Sequence, residues 1–576
     1  MTGQTINCRP DLARAATRGQ ADRRTLVFDG HRKQALETGR TRLLVASIVF
    51  AAAFSVIGLR LLDLALIQGG SEPRLAGRET SESFRTSRAD IVDRNGVVLA
   101  TTLPVSSLAA NARQIANPAE VAGRLATVLN GVHQSKLRTL LSSRSRFVWL
   151  KRGITPREKQ AVIRLGYPGL FFKRESRRFY PHGSLAAHIV GFTSIDGDGI
   201  GGLELAFDEM LKGGTQPLEL ALDMRLQHIL TEELQRAMTR FDGVGAAGLV
   251  LDVHTGETIA MVSLPSFDPK HVGSASMDAR FNRATLGVYE MGSVFKIFTT
   301  AMALDAGVVD LRDEYDASKP LRVARFTIND FKPKDRPLSI AEIFIYSSNI
   351  GTAKMAIDAG TDLQRDYLDR LGLLKAAGIE LPEVGTPMLP SPWRDINTIT
   401  ISYGHGLAVT PLQVANAVAT VVNGGKWRPS TLIKRREGDV DVTHQVLSET
   451  TSRQMRWLMR LGVQHGTGGK ADARGYLVGG KTGTADKLRG GSYSDDARMA
   501  SFVSAFPMDD PRYVVLAMVD EPKGIEETYG YATGGWVAAP VVREVIRRAA
   551  PLLGVDPVTH DVEPEQPELL MEVAKR

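Results

Sequence analysis

The sequence predicts an α+β fold tethered to a membrane by a single N-terminal transmembrane helix. Three observations carry that expectation. Leu43 to Leu59 is a run of seventeen residues without a charge, and it follows a stretch in which nine Arg/Lys stand against four acids. Residues 68–219 alternate short apolar runs with turn signals, as a β-rich domain does. Residues 220–553 carry strand-like segments at both ends and helical spacing between them, which implies an antiparallel sheet with packed helices. A length of 576 residues leaves room for two to four domains, and 43% hydrophobic with 23% charged content is that of a folded chain.

The uncharged run continues as Arg60-Leu-Leu-Asp-Leu-Ala-Leu-Ile67, so residues 43–67 supply the ~20 residues that a hydrocarbon core requires. The basic flank places the tail, residues 1–42, in the cytoplasm and everything beyond residue 67 outside it. A cleaved signal peptide fits poorly, because the leader is long and no small-x-small site follows the apolar run. The single cysteine, Cys8, lies in the tail, so the exported part contains no disulfide. The basic tail has no interleaved aromatic platform, which favours topology and anionic lipid over nucleic acid.

Beyond the anchor, Asp90 to Leu99 reads as strand, Asn-Gly turn, strand. Asn117–Val132 and Thr155–Leu165 have helical spacing, the second with Thr155 as N-cap and Pro156 in its first turn. Lys151 to Arg178 holds nine Lys/Arg and two Glu; it reads first as a solvated helix surface, second as a partner-binding face. Gly197–Gly202 reads as a flexible loop before a short helix over Leu203–Leu211. The larger domain opens with an amphipathic helix over Asp223–Ala237 and two strands within Gly245–Val262 that turn at Thr255-Gly256. Ala500–Phe506 and Tyr513–Val519 read as a hairpin, and Val541–Leu553 as a closing helix. Residues 554–576, with three prolines and six acids, read as an acidic disordered tail.

The chemistry lies in three short motifs: Ser293-Val-Phe-Lys296, Ser347-Ser-Asn349 and Lys481-Thr482-Gly483-Thr484. Each alone is commonplace, as a helix cap, a turn or an exposed strand end. In this order they supply a nucleophile, a base, a proton relay and a cation for a carboxylate, nearly a full set for acyl transfer. Ser293 opens an apolar helix, so Lys296 follows one turn later on the same side. A serine hydroxyl needs a base to take its proton, and a lysine can serve only if its pKa is lowered. Ser347 is placed to relay that proton to the leaving amine, and Asn349 to hold a substrate amide. Lys481–Thr484 reads as an edge strand, where Gly483 lets an extended peptide add alongside. Lys481 and Thr482 would bind a terminal carboxylate, and the Thr484 and Ser293 N–H groups would form an oxyanion hole.

A rival reading is the phosphate-loop pattern, which Gly475 to Thr482 also fits, with Val514–Glu521 as its acidic strand. That loop must open a helix directly after the Lys-Thr pair, and Gly483 and Gly490-Gly491 stand against one. The eleven histidines form no HExxH pattern, His182 and His188 read as structural, and no metal or cofactor is called for.

From about Arg88 to Leu553 the chain resembles the class B penicillin-binding proteins, the monofunctional peptidoglycan D,D-transpeptidases. Beyond the three motifs, the resemblance rests on Arg88–Gly96, Arg178–Gly183, Ala187–Phe192 and Gly201–Glu204 in the first part. It rests on Thr255–Glu257, Pro265–Pro269, Gly404–Gln413 and Gly534–Pro540 in the second. Length and layout are most similar to the division-specific FtsI type (penicillin-binding protein 3). Ala89, Met291 and Phe295 depart from the family, which usually has glycine, proline and a smaller residue there. Phe295, beside the nucleophile, is expected to alter the pocket wall.

The resemblance implies a non-catalytic, dimerisation-type pedestal over residues 68–219 and a penicillin-binding/β-lactamase-like transpeptidase domain over 220–553. It implies an inner-membrane, single-pass protein with its catalytic part in the periplasm. Ser293 would attack the penultimate D-Ala carbonyl of a stem peptide, and an amine of a neighbouring stem would resolve the acyl-enzyme. β-Lactams would trap the same serine. The implied partners are peptidoglycan stem peptides, the cell membrane, a SEDS-family glycan polymerase and other division proteins. An elongation-type transpeptidase, a catalytically silent β-lactam sensor or scaffold, and a hydrolytic relative stand as alternatives.

Overall fold

The computed structural model describes residues 28–62 and 88–558, apart from 324–325, 437, 440–441 and 490–491. Cys8, residues 63–67 of the expected anchor, residues 68–87 of the expected pedestal and residues 559–576 of the acidic tail lie outside the described residues. The chain divides into two units, residues 1–83 and 84–576.

In the first unit, α1 (Phe28–Leu62) contains an apolar window of 21 residues, Arg40–Arg60. At ~1.5 Å per residue such a window is about 31 Å long, the thickness of a hydrocarbon core. Leu43, Val49, Phe54 and Leu59 are all exposed along it. Apolar side chains on every side are what a lipid-facing helix presents.

The second unit opens with a mixed sheet of β1 (Ile91–Val92), β2 (Val98–Ala110), β3 (Val148–Ile154), β4 (Leu170–Phe179) and β5 (Leu218–Glu219). β2 pairs antiparallel with β1, β3 and β4, while β1 runs parallel to β5. The Asn95-Gly96 turn joins β1 to β2, and the Asp93 carboxylate accepts the Asn95 and Val97 N–H groups. One face is covered by α2 (Pro118–Val128), α3 (Gln134–Leu141) and α4 (Pro156–Leu165), through Leu125, Leu137, Leu141 and Val162. Thr155 and Glu158 close a capping box at the start of α4.

Two expectations for this region need correction. The basic stretch Lys151–Arg178 is not a helix surface, because many of its charges lie on β3 and β4. Arg152 pairs there with Glu175 and Asp196, and β4 is an edge strand whose Lys173, Arg174 and Arg177 are exposed. Charges of one sign on an edge discourage pairing with another chain. Gly197–Gly202 is not a free loop either. Gly199–Gly201 pairs with Phe192–Thr193, and the helix after it splits into Gly202–Ala206 and Asp208–Gly213. A Cβ on Gly199 would lie 2.0 Å from Glu204 O, so this turn is pressed onto its own helix. The Glu204 carboxylate, fully buried, accepts from both Arg88 and Arg178.

The larger region is built on a second sheet. It follows α5 (Met224–Arg240) and comprises β6 (Gly245–Asp252), β7 (Thr258–Leu264), β8 (Gly479–Arg489), β9 (Ser492–Phe506) and β10 (Tyr513–Asp520). The order is β8-β9-β10-β6-β7, antiparallel throughout. Between β7 and β8 the chain forms α6 (Lys296–Asp305), α7 (Ile340–Tyr346), α8 (Asn349–Ala359), α9 (Pro411–Val422) and α10 (Glu449–Gln464). The closing helix α11 (Gly534–Ala549) starts ahead of the expected Val541, and a 3-10 turn over Ala550–Leu553 follows it. Gly534-Gly535 and Pro540 break the sequence pattern that would have marked its start.

Both sheet faces are covered, so β10 is apolar at nearly every position. Val514, Leu516 and Met518 enter the core shared with α6, α9 and α10, whereas Val515, Ala517 and Val519 enter the core under α5 and α11. β8 is left at the edge, beside the turn that leads into α6.

Candidate active site

Gly292–Phe295 forms a 3-10 turn that runs into α6 at Lys296. Residues i and i+3 eclipse in such a turn, so Ser293 and Lys296 share one side. Ser293 is half-buried and Lys296 is 1% exposed. Two neighbouring backbones hold the turn. A Cβ on Gly292 would lie 2.4 Å from Thr484 O, and one on Gly404 only 1.9 Å from Gly292 O. Both glycines have positive φ, +53° and +92°, so both the space and the conformation require them. Phe295 does not form the pocket wall. It is 1% exposed and edge-on to Phe298 at 5.4 Å, inside the core.

The second motif is the junction of α7 and α8. Ser347 sits there in the left-handed region, φ 59° and ψ 45°, which is unusual for a non-glycine residue. This conformation turns both of its oxygens toward the lysine. Lys296 Nζ donates to Ser347 O at 2.6 Å, Ser347 Oγ at 3.1 Å and Asn349 Oδ1 at 2.7 Å. Burial pushes the Lys296 ammonium well below its ordinary range; the nearby Lys481 charge acts in the same direction and Asp330 opposes it.

Asn349 Oδ1 accepts from Lys296, and one of its two Nδ2 hydrogens goes to Asn329 O at 2.9 Å. The side chain thus helps to hold the lysine and keeps one N–H donor uncommitted. The strand Phe326–Ile328 returns the chain over the junction and brings Asn329 and Asp330 onto it. Asp330 accepts from Ser348 Oγ at 2.7 Å and from Ile350 N at 3.0 Å.

The third motif lies on the edge strand β8, with Lys481 opposite Val503 and Thr484 opposite Ala500 of β9. Lys481 is 2% exposed, and its Nζ has no hydrogen-bond partner among the described residues. Burial brings its pKa down to about 7. A buried donor left unpaired costs ~1–3 kcal/mol, which an incoming anion would recover. Thr482 Oγ1 lies 2.6 Å from Thr467 Oγ1, and Thr484 Oγ1 accepts from Gly534 N at 3.1 Å. Gly483 is closely surrounded. A Cβ there would meet Met291 O and Ser501 Oγ, each at 2.4 Å. The space it leaves is filled by the turn that leads into α6 and by β9.

All eight expected site residues therefore sit on three adjoining pieces of backbone. Sequence reasoning missed Asn329, Asp330 and Thr467. It also missed Glu290, whose carboxylate accepts from Gly406 N at 2.8 Å and Tyr493 Oη at 3.1 Å and lies 3.2 Å from His405 Nδ1. Single polar residues carry no spacing signal; only the Gly404-His-Gly run hinted at a close approach. The phosphate-loop reading fails, since Lys481 and Thr482 continue a strand. His188 is structural, as expected. It lies edge-on to Phe267 with Nε2 2.9 Å from Ala279 O, and burial lowers its pKa to about 4.

Comparison with known proteins agrees with the fold. A penicillin-binding protein transpeptidase domain matches residues 246–547, and a penicillin-binding protein dimerisation domain matches residues 84–227. The chain belongs to the penicillin-binding protein transpeptidase family. Within that family it is of the FtsI type. The probable peptidoglycan D,D-transpeptidase FtsI of Caulobacter vibrioides is 41% identical over 488 residues, covering 82% of this chain and 83% of that one. Peptidoglycan D,D-transpeptidase FtsI of Escherichia coli K12 is 29% identical over 561 residues, covering 90% and 92%. Penicillin binding protein 3 from Mycobacterium tuberculosis, solved with ampicillin, shares the fold with a TM-score of 0.67 at 24% identity, over 83% of this chain and 98% of that one.

Proposed function

We propose that this protein is a serine-type peptidoglycan D,D-transpeptidase that cross-links stem peptides at the division septum. One observation carries the reading. A buried lysine, depressed by desolvation and one turn beyond a half-buried serine, is held at 2.6–3.1 Å by two residues of a second motif. Lys296, as a neutral amine, takes the Ser293 proton, and Oγ attacks the penultimate D-Ala carbonyl carbon. The Ser293 and Thr484 N–H groups stabilise the oxyanion. The C–N bond to the terminal D-Ala then breaks, and its nitrogen receives the proton from Lys296 through Ser347 Oγ. The acceptor amine attacks the acyl ester, loses its proton along the same route and frees Ser293. Asn349 keeps Lys296 aimed throughout. Lys481 and Thr482 bind the donor's terminal carboxylate, whose charge favours the ammonium form of Lys481, while Gly483 keeps β8 close to the nucleophile turn.

The reading extends to the rest of the chain. Residues 1–42 form the cytoplasmic tail and residues 43–67 the anchor; the pedestal (68–219), the transpeptidase domain (220–553) and the acidic tail (554–576) face the periplasm. β-Lactams acylate Ser293, and the pedestal meets a SEDS-family polymerase and other division proteins. The test uses the detergent-solubilised full chain with pentapeptide-bearing glycan strands made from lipid II. Cross-linked muropeptides with release of D-Ala support the proposal. Penicillin acylation without cross-linking would mean a silent sensor, and an adduct lost within minutes a β-lactamase. A fluorescent fusion spread along the lateral wall would mean an elongation enzyme.

A further inference from the structure

We propose that Asp330, which lies outside all three motifs, is a positioning residue of the acyl-transfer site, clamping the turn that presents Ser347 and Asn349 to Lys296. The proposal rests on the transpeptidase reading above and adds a residue to it. Ser347 is the strained element of the site. Its left-handed backbone points its carbonyl and its hydroxyl at the same amine. A non-glycine residue persists in that region only where its surroundings over-determine it. Asp330 supplies that determination from the C-terminal side. One carboxylate oxygen accepts the Ser348 hydroxyl at 2.7 Å and the other the Ile350 N–H at 3.0 Å, so the first turn of α8 is bonded to a single rigid group.

The clamp is itself anchored. Ile328, just before it, is buried in the main core, as is Leu338 after it. Between them Asn329 O accepts from Asn349 Nδ2, and Lys334 Nζ lies 4.1 Å from the Tyr346 ring centroid. The strap from Asn329 to Lys334 thus touches Tyr346, Ser348, Asn349 and Ile350 in turn. Charge gives a second handle. The charged groups that face Lys296 are Lys481 from β8, which disfavours its ammonium form, and Asp330 from the strap, which favours it. A clamp that only held the fold together would have no such effect on the base.

The experiment compares wild type, Asp330→Ala and Asp330→Asn as full chains in detergent, by rate of acylation with a fluorescent penicillin between pH 5 and 9. Wild type labelled at Ser293 tests the transpeptidase site itself, independently of the strap. Asp330→Ala is expected to slow acylation about 10- to 100-fold, the scale of loss for a misplaced catalytic group. Asp330→Asn keeps an oxygen for Ile350 N–H and a polar contact to Ser348. It is expected to recover much of the rate while its acid limb moves to lower pH, because the favourable charge beside Lys296 is gone. Wild-type rates in Asp330→Ala at every pH would overturn the proposal. An unmoved acid limb in a folded Asp330→Asn would also overturn it, because Asp330 would then act only on the fold.

Discussion

Replacing Asn349 by alanine separates two roles that look alike in the sequence. The side chain gives Lys296 one of its three acceptors, at 2.7 Å, and ties the junction to Asn329 O at 2.9 Å. A hydrogen bond between neutral groups contributes about 0.5–1.5 kcal/mol. If that bond holds the neutral lysine in its reactive position, its loss slows acylation about 2- to 12-fold. The loss should be the same for every β-lactam, because it acts through the base. The assay is acylation kinetics of Asn349→Ala with two reagents, a penicillin that carries an acylamino side chain and a β-lactam that lacks one. A defect confined to the acylamino reagent would refute the reasoning and point to the substrate-amide role.

Other expectations follow from the same geometry. Lys481→Met removes an unpaired buried amine, so Tm should rise at pH 7 while acylation falls sharply, as calorimetry and penicillin labelling would show. The sign is consistent with the pKa: a folded value of about 7 against an ordinary 10.5 means the unfolded chain binds more protons between them. This lysine therefore lowers stability most below pH 7, and its penalty fades as pH rises toward 10.5 in a thermal-melt series. Gly404→Ala would set a Cβ 1.9 Å from Gly292 O and displace the nucleophile turn, with penicillin labelling lost more steeply than Tm. Glu204→Ala would leave Arg88 and Arg178 in a buried site without their shared carboxylate, at a cost of about 3–5 kcal/mol in denaturant unfolding.

Much of this molecule was legible in the sequence where a local rule applies. The charge-free run gave the apolar helix, Thr155-Pro156 the start of α4, and the third motif the edge strand. What stayed hidden depends on contacts between residues far apart in the chain. The surroundings of Gly483 were not visible, because nothing near it in sequence shows that Met291 occupies the space beside it. The partners of Asn349 were not visible either, because Asn329 and Lys296 reach it from different elements. The charges of Lys151–Arg178 looked helical because edge-strand residues, exposed at successive positions, do not show the alternation of a half-buried strand. Asp330 has no motif at all.

The most direct test of the account is to find where penicillin attaches. Full-length protein is labelled with penicillin, digested, and its peptides are mapped by mass spectrometry, with Ser293→Ala as the control. A penicilloyl adduct on Ser293, absent from Ser293→Ala, is the predicted result. A covalent adduct that survives in Ser293→Ala, or maps to another residue, would contradict the account.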